Sequence, residues 1–305
     1  MMKMNKRSIT MKRITFPLLS PVLLVLVALL FAGCAGAPEP AGDMGPVEEP
    51  EKKVETAKAP VRITETIYLV EEEISYYGDG MVDERRVNRY KDDAPELIDS
   101  ILYDAEDEVE EKSSYRYENG LLTEEVSQNK AGEILSIHRY SYSDGNRVED
   151  LLLNSTEEVQ TRLVWDYDDA GRMVRWEIHN GNGALLAYTE YVYKNGRLDR
   201  IENYNSSGEL EEIFTHEYRG DLLVKMSELD KRENLVAYTI YRYEAERLVE
   251  ETLHRKSGAV RRRTLFENGD HGMPVNSIYL DMAGNVLEKR GRSYISRTVT
   301  RTLEE

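Results

Sequence analysis

One cysteine, Cys34, is all that 305 residues contain. With no second thiol an internal disulfide cannot form, so stability must rest on pairing and packing. Histidine is scarce as well: His138, His179, His216, His254 and His271 include no H-x-H or H-x-x-x-H pair, the kind of spacing that sets two imidazoles on one metal ion. The serines stand at no recognisable spacing from a base, and no cofactor-binding motif is present. Basic charge is in short supply, with 40 Lys+Arg against 57 Asp+Glu and a formal net charge of -17. Such a balance repels nucleic acid and anionic head groups. These absences leave no expected enzyme, cofactor or metal site, and they turn attention to what the chain repeats.

The first 13 residues, "MMKMNKRSITMKR", hold five basic residues and no acid, and an apolar run follows to "LLFAGC" at Cys34. This layout reads as a signal peptide over residues 1–33. The run from Ile14 to Ala32 is near the length of a membrane span, but Pro17 and Pro21 interrupt it early. Phe31-Ala32-Gly33-Cys34 resembles the bacterial lipobox, with phenylalanine in place of the usual leucine. That resemblance implies a lipoprotein acylated on Cys34, and Ala35 in the position after the cysteine implies the outer membrane. One acyl chain binds a bilayer only marginally, so multiple acylation is the physically sensible anchor. Without residues 1–33 the formal charge falls to -22. The lipid, and no basic patch, would hold the membrane.

Residues 34–60 carry the cysteine and then "AGAPEPAGDMGPVEEPEKKVETAKAP", with five prolines, many acids and no aromatic residue. Such a segment cannot bury enough apolar surface to fold and reads as a tether. Its 26 residues after Cys34 would span roughly 25 to 30 Å on average.

From residue 61 to 305 a single repeat domain is expected. The second aromatic of a Y-x-Y unit recurs at Tyr117, Tyr142, Tyr167, Tyr193, Tyr218 and Tyr243, at steps of 25 or 26 residues, with Tyr90 and Phe266 as weaker copies. Half a period away a second turn marker ends at Val109, Ile134, Val159, Leu185, Leu210, Leu235, Val260 and Val286. Two markers in one register make an internal repeat of two segments per period. The segments are rich in Tyr, Val, Ile, Leu and Thr and alternate with period two, as in Tyr191-Val192-Tyr193-Lys194. Glycines such as Gly120, Gly145, Gly196, Gly132 and Gly208 fall in the expected turns. The fold class is therefore all-β: a long antiparallel meander of two-strand repeats of about 25 residues, some sixteen to eighteen strands, twisted or rolled. Half-barrel, spiral and open sheet all remain open at this point. The columns Tyr115 and Tyr117, Tyr140 and Tyr142, Trp165 and Tyr167, Tyr191 and Tyr193, His216 and Tyr218, and Tyr241 and Tyr243 should form one ladder of cross-strand aromatic pairs.

"YDDAGRM" at residues 167–173 resembles the tyrosine-aspartate, or Rhs-type, repeat of bacterial surface and toxin-shell proteins, and "YKNGRL" is a looser version of it. The aromatic-plus-"NG" pattern is also similar to the MORN-variant repeats of some bacterial antitoxin-like proteins. Both resemblances imply a scaffold and carry no catalytic residue to this chain.

Three chemical readings are weak. "DYDDAGRMVRWE", Asp166 to Glu177, matches a calcium loop at positions one, three, six and twelve, but Ala170 occupies position five and no helices flank it. Asp168 to Gly171 reads as the repeat's own turn. The pairs Glu124-Glu125, Glu157-Glu158 and Glu211-Glu212 invite a glycosidase comparison, yet they are expected in turns or on the solvent face. His179 and His254 share a column three periods apart, too far to share a zinc ion unless the sheet closes. The histidines are expected to be ordinary exposed sheet residues.

What remains is binding or scaffolding at the cell envelope. The tyrosine columns are either the packed face of a rolled sheet or an exposed row able to stack sugars or an extended segment. A glycan, cell-wall or envelope-protein partner would then meet Tyr115, Tyr117, Tyr140, Tyr142, Trp165, Tyr167, Tyr191, Tyr193, Tyr218, Tyr241 and Tyr243. A third reading has a partner strand adding to a free edge at residues 61–77 or 290–300. A transmembrane barrel is disfavoured, because Arg116, Asp166, Lys194, Glu217 and Arg242 occupy the face opposite the tyrosines.

Overall fold

A computed structural model describes residues 61–303 of the chain. The expected signal peptide, Cys34 and the expected tether lie outside the described residues. The described chain is a meander of antiparallel strands: β1 (Val61–Tyr77), β2 (Val82–Tyr90), β3 (Leu97–Tyr103), β4 (Val109–Glu118), β5 (Leu121–Asn129), β6 (Ile134–Ser143), β7 (Asn146–Leu153), β8 (Val159–Tyr167) and β9 (Met173–Asn180). It continues with β10 (Leu185–Lys194), β11 (Arg197–Asn205), β12 (Leu210–Arg219), β13 (Leu222–Asp230), β14 (Leu235–Glu244), β15 (Arg247–Arg255), β16 (Val260–Asn268), β17 (Pro274–Leu280) and β18 (Val286–Leu303). Every even strand from β4 onward starts on the apolar residue that closes the second turn marker, from Val109 to Val286. The repeat is one strand pair per period.

The sheet closes. β1 pairs with β2 through Glu72 to Tyr76, and with β18 along its whole length, from Val61 opposite Leu303 to Tyr77 opposite Glu288. All 18 strands thus form one barrel, which settles the choice left between open sheet, half-barrel and spiral. The expectation of free edges at residues 61–77 and 290–300 changes with it: these segments are each other's ladder partners, and residues 72–76 and 286–291 also pair with β2 and β17, so that among the described residues one unpaired side is left on the outer half of each. Around the rest of the ring closure removes the edges to which a foreign strand could add. β1 and β18 are nearly twice as long as the others, and their outer halves pair only with each other.

Two turn types alternate and place the two rims. At one rim Asn119-Gly120, Asp144-Gly145 and Asn195-Gly196 hold positive φ at both residues, the tight turn whose twist matches a hairpin. Ala245-Glu246 adopts the same form without glycine. At the other rim the turn takes five residues. Asn129 Oδ1 accepts from the amides of Ala131 and Glu133, and the Gly132 amide donates to the Asn129 carbonyl. Asn154, Asn180, Asn205, Asp230 and Asp281 repeat the arrangement.

Alternation along β4, β6, β10, β12 and β14 leaves the tyrosine-bearing side the more covered one and its opposite more exposed, with Ile137 and Ile213 as buried exceptions. On a closed sheet side chains converge on the concave side and splay on the convex side, so the tyrosines line the inner wall. Strands 4.8 Å apart and tilted by about 40° would give a circular backbone radius of about 18 Å. Neither wall is a dry core. Among the described residues, the deeply covered hydrophobic side chains are Ile137, Leu153, Ile213, Ala237 and Leu280, while six Ser and four other polar or charged side chains are covered to the same degree: Ser75, Ser100, Ser113, Ser127, Ser227 and Ser277, with Asp99, Asp150, Thr189 and Thr264.

Candidate functional site: the aromatic inner wall

The second tyrosine of each Y-x-Y unit is a fastener between repeats. Tyr142 Oη donates to the Leu122 carbonyl at 2.8 Å, Tyr167 to Arg147 at 2.8 Å, Tyr193 to Met173 at 2.9 Å and Tyr218 to Leu198 at 2.9 Å, each across 20 residues. Tyr90 and Tyr294 bond the Val70 and Pro274 carbonyls in the same way, and Tyr117 Oη accepts from the Leu97 amide at 3.1 Å. Phe266, expected as a weaker copy of this second position, stands instead at the first, and Asn268 holds the second, donating to the Leu248 carbonyl at 2.9 Å. Arginines at the start of the preceding strand or just before it stack on two of these rings, Arg172 over Tyr193 at 4.7 Å and Arg197 over Tyr218 at 5.8 Å, while Arg147 lies over the first-position Trp165 at 4.6 Å. These tyrosines therefore hold the wall together. Tyr243 has the same position and is raised in pKa by burial.

The expected ladder of paired aromatics needs correcting. The Y-x-Y units sit on every second strand, so their direct partners come from the strand between. Tyr115 faces Glu125, Tyr140 faces Asp150, Tyr191 faces Ile201, His216 faces Met226 and Tyr241 faces Glu251; only Trp165 meets another aromatic, Trp176.

The first-position aromatics make a wall of rings between acids and hydroxyls. Tyr140 Oη donates to Glu125 Oε2 at 3.1 Å, and Asp150 Oδ1 lies 2.9 Å from His138 Nδ1. Burial, with Glu125 adding to it, pushes Tyr115 up to about 12, and burial likewise raises Tyr140, Tyr191 and Tyr241. The Asp150 hydrogen bond raises His138 despite its partial burial, whereas burial lowers His216. Between these rings a chain of polar contacts runs from Thr189 Oγ1 to Asn203 Oδ1 at 2.8 Å and from Asn203 Nδ2 to Glu212 Oε2 at 3.2 Å. Ser113 and Ser127 share a buried 2.8 Å hydrogen bond.

Two further expectations change. Neighbouring acids point to opposite walls: Glu125 and Glu212 face the tyrosines, and Glu124 and Glu211 face outward. The acid pairs are thus not uniformly on the solvent face, because period-two alternation separates adjacent residues. All five histidines are half-covered rather than exposed, and His138 and His216 lie on the inner wall. His179 and His254 stand on β9 and β15, six strands apart around the closed wall, each bonded to a turn carbonyl, of Gly183 and of Gly258. Asp168 caps its own turn through the amides of Ala170 and Arg172 and pairs with the Arg172 guanidinium. The sequence reading missed the arginine stacking; the signal that could have raised it is an arginine one or two residues after the turn glycine, as in Gly145-Asn146-Arg147, Gly171-Arg172 and Gly196-Arg197.

The outer wall carries ion pairs at mid-height: Arg139 with Glu124 and Glu157, Arg162 with Glu149, and Arg263 with Glu250 at 2.8 Å. Charged side chains at a bilayer midplane cost about 2 to 4 kcal/mol each for Arg or Lys, so this wall suits water and not lipid.

No protein-family model and no curated protein matches the chain. Solved structures give distant likenesses. A porin-like protein from Bacteroides uniformis is 7% identical over 74% of this chain and 98% of its own, with a TM-score of 0.39. The Photorhabdus luminescens Tc holotoxin pore is 11% identical over 68% of this chain and 17% of its own, with a TM-score of 0.18. An exported protein with a YmcC-like fold from Bacteroides fragilis is 10% identical over 76% of this chain and 96% of its own, with a TM-score of 0.17. These likenesses are too slight to carry an argument, and the barrel rests on the strand pairing of this chain itself.

Proposed function

We propose that this protein is a non-enzymatic, lipid-anchored envelope protein whose barrel is a binding platform, held to the outer membrane through Cys34. The observation that carries the platform reading is the inner wall itself: rings at Tyr115, Tyr140, Trp165, Tyr191 and Tyr241 interleaved with carboxylates and hydroxyls. Faces of rings with hydrogen-bonding rims suit polyhydroxylated ligands, which favours a glycan as the partner class. The second-position tyrosines with backbone bonds, Tyr117, Tyr142, Tyr167, Tyr193 and Tyr218, are excluded from that role. The His138–Asp150 pair is read as structural, since no nucleophile is hydrogen-bonded to the imidazole among the described residues. Two measurements test the reading. Metabolic labelling with a fatty acid should mark the wild-type chain and not Cys34→Ala. The detergent-solubilised full chain should bind purified cell-wall glycan or outer-leaflet polysaccharide saturably, and Tyr191→Ala with Tyr241→Ala should weaken binding while circular dichroism shows the barrel intact. Absence of saturable binding to either polymer removes the glycan reading, and an unlabelled wild type removes the anchor.

A further inference from the structure

Arg86 stands out on the inner wall. In the ladder its direct neighbour on β1 is Glu73, the obvious partner for its charge. Glu73 turns the other way: its carboxylate pairs with Arg292, and Arg290 approaches it at 3.9 Å. Arg290 is also bound to Glu288, and Arg292 reaches the Ser277 hydroxyl at 3.4 Å. Arg86 is left with one contact, from Nη1 to Ser100 Oγ at 3.3 Å, and with no carboxylate at ion-pair distance.

That arrangement is unusual for a chain in which acids outnumber bases. Acidic partners are plentiful, and on the outer wall Arg85, the next residue, takes two of them, Glu72 and Asp107. A half-covered guanidinium without a counter-charge is unfavourable and persists most readily where something else supplies the charge. Around it the wall is low and polar. Ser100 and Ser113, opposite one another on β3 and β4, are each 2% exposed, and Ser75 on β1 is 3% exposed with an Oγ that has no hydrogen-bond partner. Tyr115, two residues beyond Ser113 on the same face, is close enough to feel the Arg86 charge. A planar fork of donors on a wall that also carries a phenol ring and small hydroxyls is a site for a carboxylate or phosphate carried on a sugar.

We infer that Arg86, with Tyr115 and the Ser100–Ser113 pair, forms a subsite for the anionic group of an acidic saccharide. This rests on the glycan reading above and narrows it to a charged class: the rings hold the sugar and Arg86 reads its charge. Carboxylate and phosphate share this chemistry, and separate arms of one experiment distinguish them.

The test is isothermal titration of the detergent-solubilised full chain with hexagalacturonate, with maltohexaose as the neutral counterpart and with inorganic phosphate. Wild type should bind hexagalacturonate at least tenfold more tightly than maltohexaose, and added salt should erode the difference. Arg86→Ala should abolish the preference and leave maltohexaose binding unchanged. Arg86→Lys, which keeps charge without the fork, should retain part of it. Binding of free phosphate in competition with hexagalacturonate would show that charge alone fills the site; no competition would assign it to carboxylate on a sugar. Equal binding of both hexasaccharides by wild type, or an unchanged preference in a folded Arg86→Ala, overturns the subsite and leaves the platform standing. Failure of wild type to bind any saccharide, with phosphate binding still dependent on Arg86, would retain an anion site and sink the glycan reading instead.

Discussion

The Tyr218 hydroxyl donates to the Leu198 carbonyl at 2.9 Å, joining the end of β12 to the start of β11, while the Arg197 guanidinium lies over the same ring. Near this rim the β11–β12 ladder has ended at Arg200 opposite Thr215, so the side chain supplies the donor that the neighbouring strand no longer offers. The recurrence of this bond around the barrel explains why the chain rewrites one phrase every 25 residues.

Removing that hydroxyl should have a measurable and local effect. Tyr218→Phe keeps the ring and leaves the Leu198 carbonyl without its donor, and a lost hydrogen bond of this kind is worth about 1 kcal/mol. Thermal or urea unfolding should show that loss. Tyr243→Phe, at the equivalent place without a backbone bond, should be close to neutral.

The five-residue turns contain a correctable strain. Glu157 and Glu233 adopt φ of 62°, where the equivalent turns have Gly132 and Gly208. A side chain in the left-handed region costs about 1 to 2 kcal/mol, partly offset by the greater freedom that glycine loses on folding. Glu233→Gly and Glu157→Gly should each stabilise the barrel by about 0.5 to 1 kcal/mol in denaturant melts.

Two glycines are there for space. A Cβ on Gly181 would fall 2.1 Å from the Val159 carbonyl oxygen, and one on Gly78 would fall 2.1 Å from that of Val286. Backbone would have to move in either case, so Gly181→Ala should lower stability by about 2 kcal/mol or more. Gly78→Ala acts where β1 meets β18 and should in addition raise amide exchange along that seam.

His138 and Asp150 predict a pH dependence with a definite sign. The folded pKa of the imidazole is raised, so the folded state binds the proton more tightly than the unfolded chain. The stabilisation is fully present below the ordinary histidine value of about 6.5 and is lost as pH rises through the higher folded value. Asp150→Asn should flatten that part of the profile, seen as a smaller loss of melting temperature between pH 6 and 8 than in wild type. His216 is lowered by burial and has the opposite sign, contributing stability that falls as the pH drops below the ordinary value. His216→Phe should remove that acid-side loss.

Much of this architecture was legible in the sequence because it is written locally. Period-two alternation around each Y-x-Y, a glycine where φ must be positive, and the apolar residue closing each second marker are properties of a few neighbouring residues. They sufficed for the strand class, the repeat length and the starts of the even strands from β4 to β18. Charges opposite the tyrosines were equally plain, and with them a wall unsuited to lipid. Even locally there were limits: nothing in "EAER" announces the tight turn at Ala245-Glu246.

Tertiary structure decided the rest. Whether β1 meets β18 depends on twist and stagger accumulated over the whole meander, and no single repeat states that sum. Closure in turn determined that Tyr115 and its equivalents face inward, that Glu125 and Asp150 lie between them, and that residues 72–76 are paired on both sides. It also set Arg86 beside Glu73 while Glu73 bonds across the seam to Arg292, a relation between residues more than 200 positions apart that only the closed ring brings about. The sequence alone determined what each strand is; the ring determined which strand each one meets, because that depends on geometry summed over every repeat.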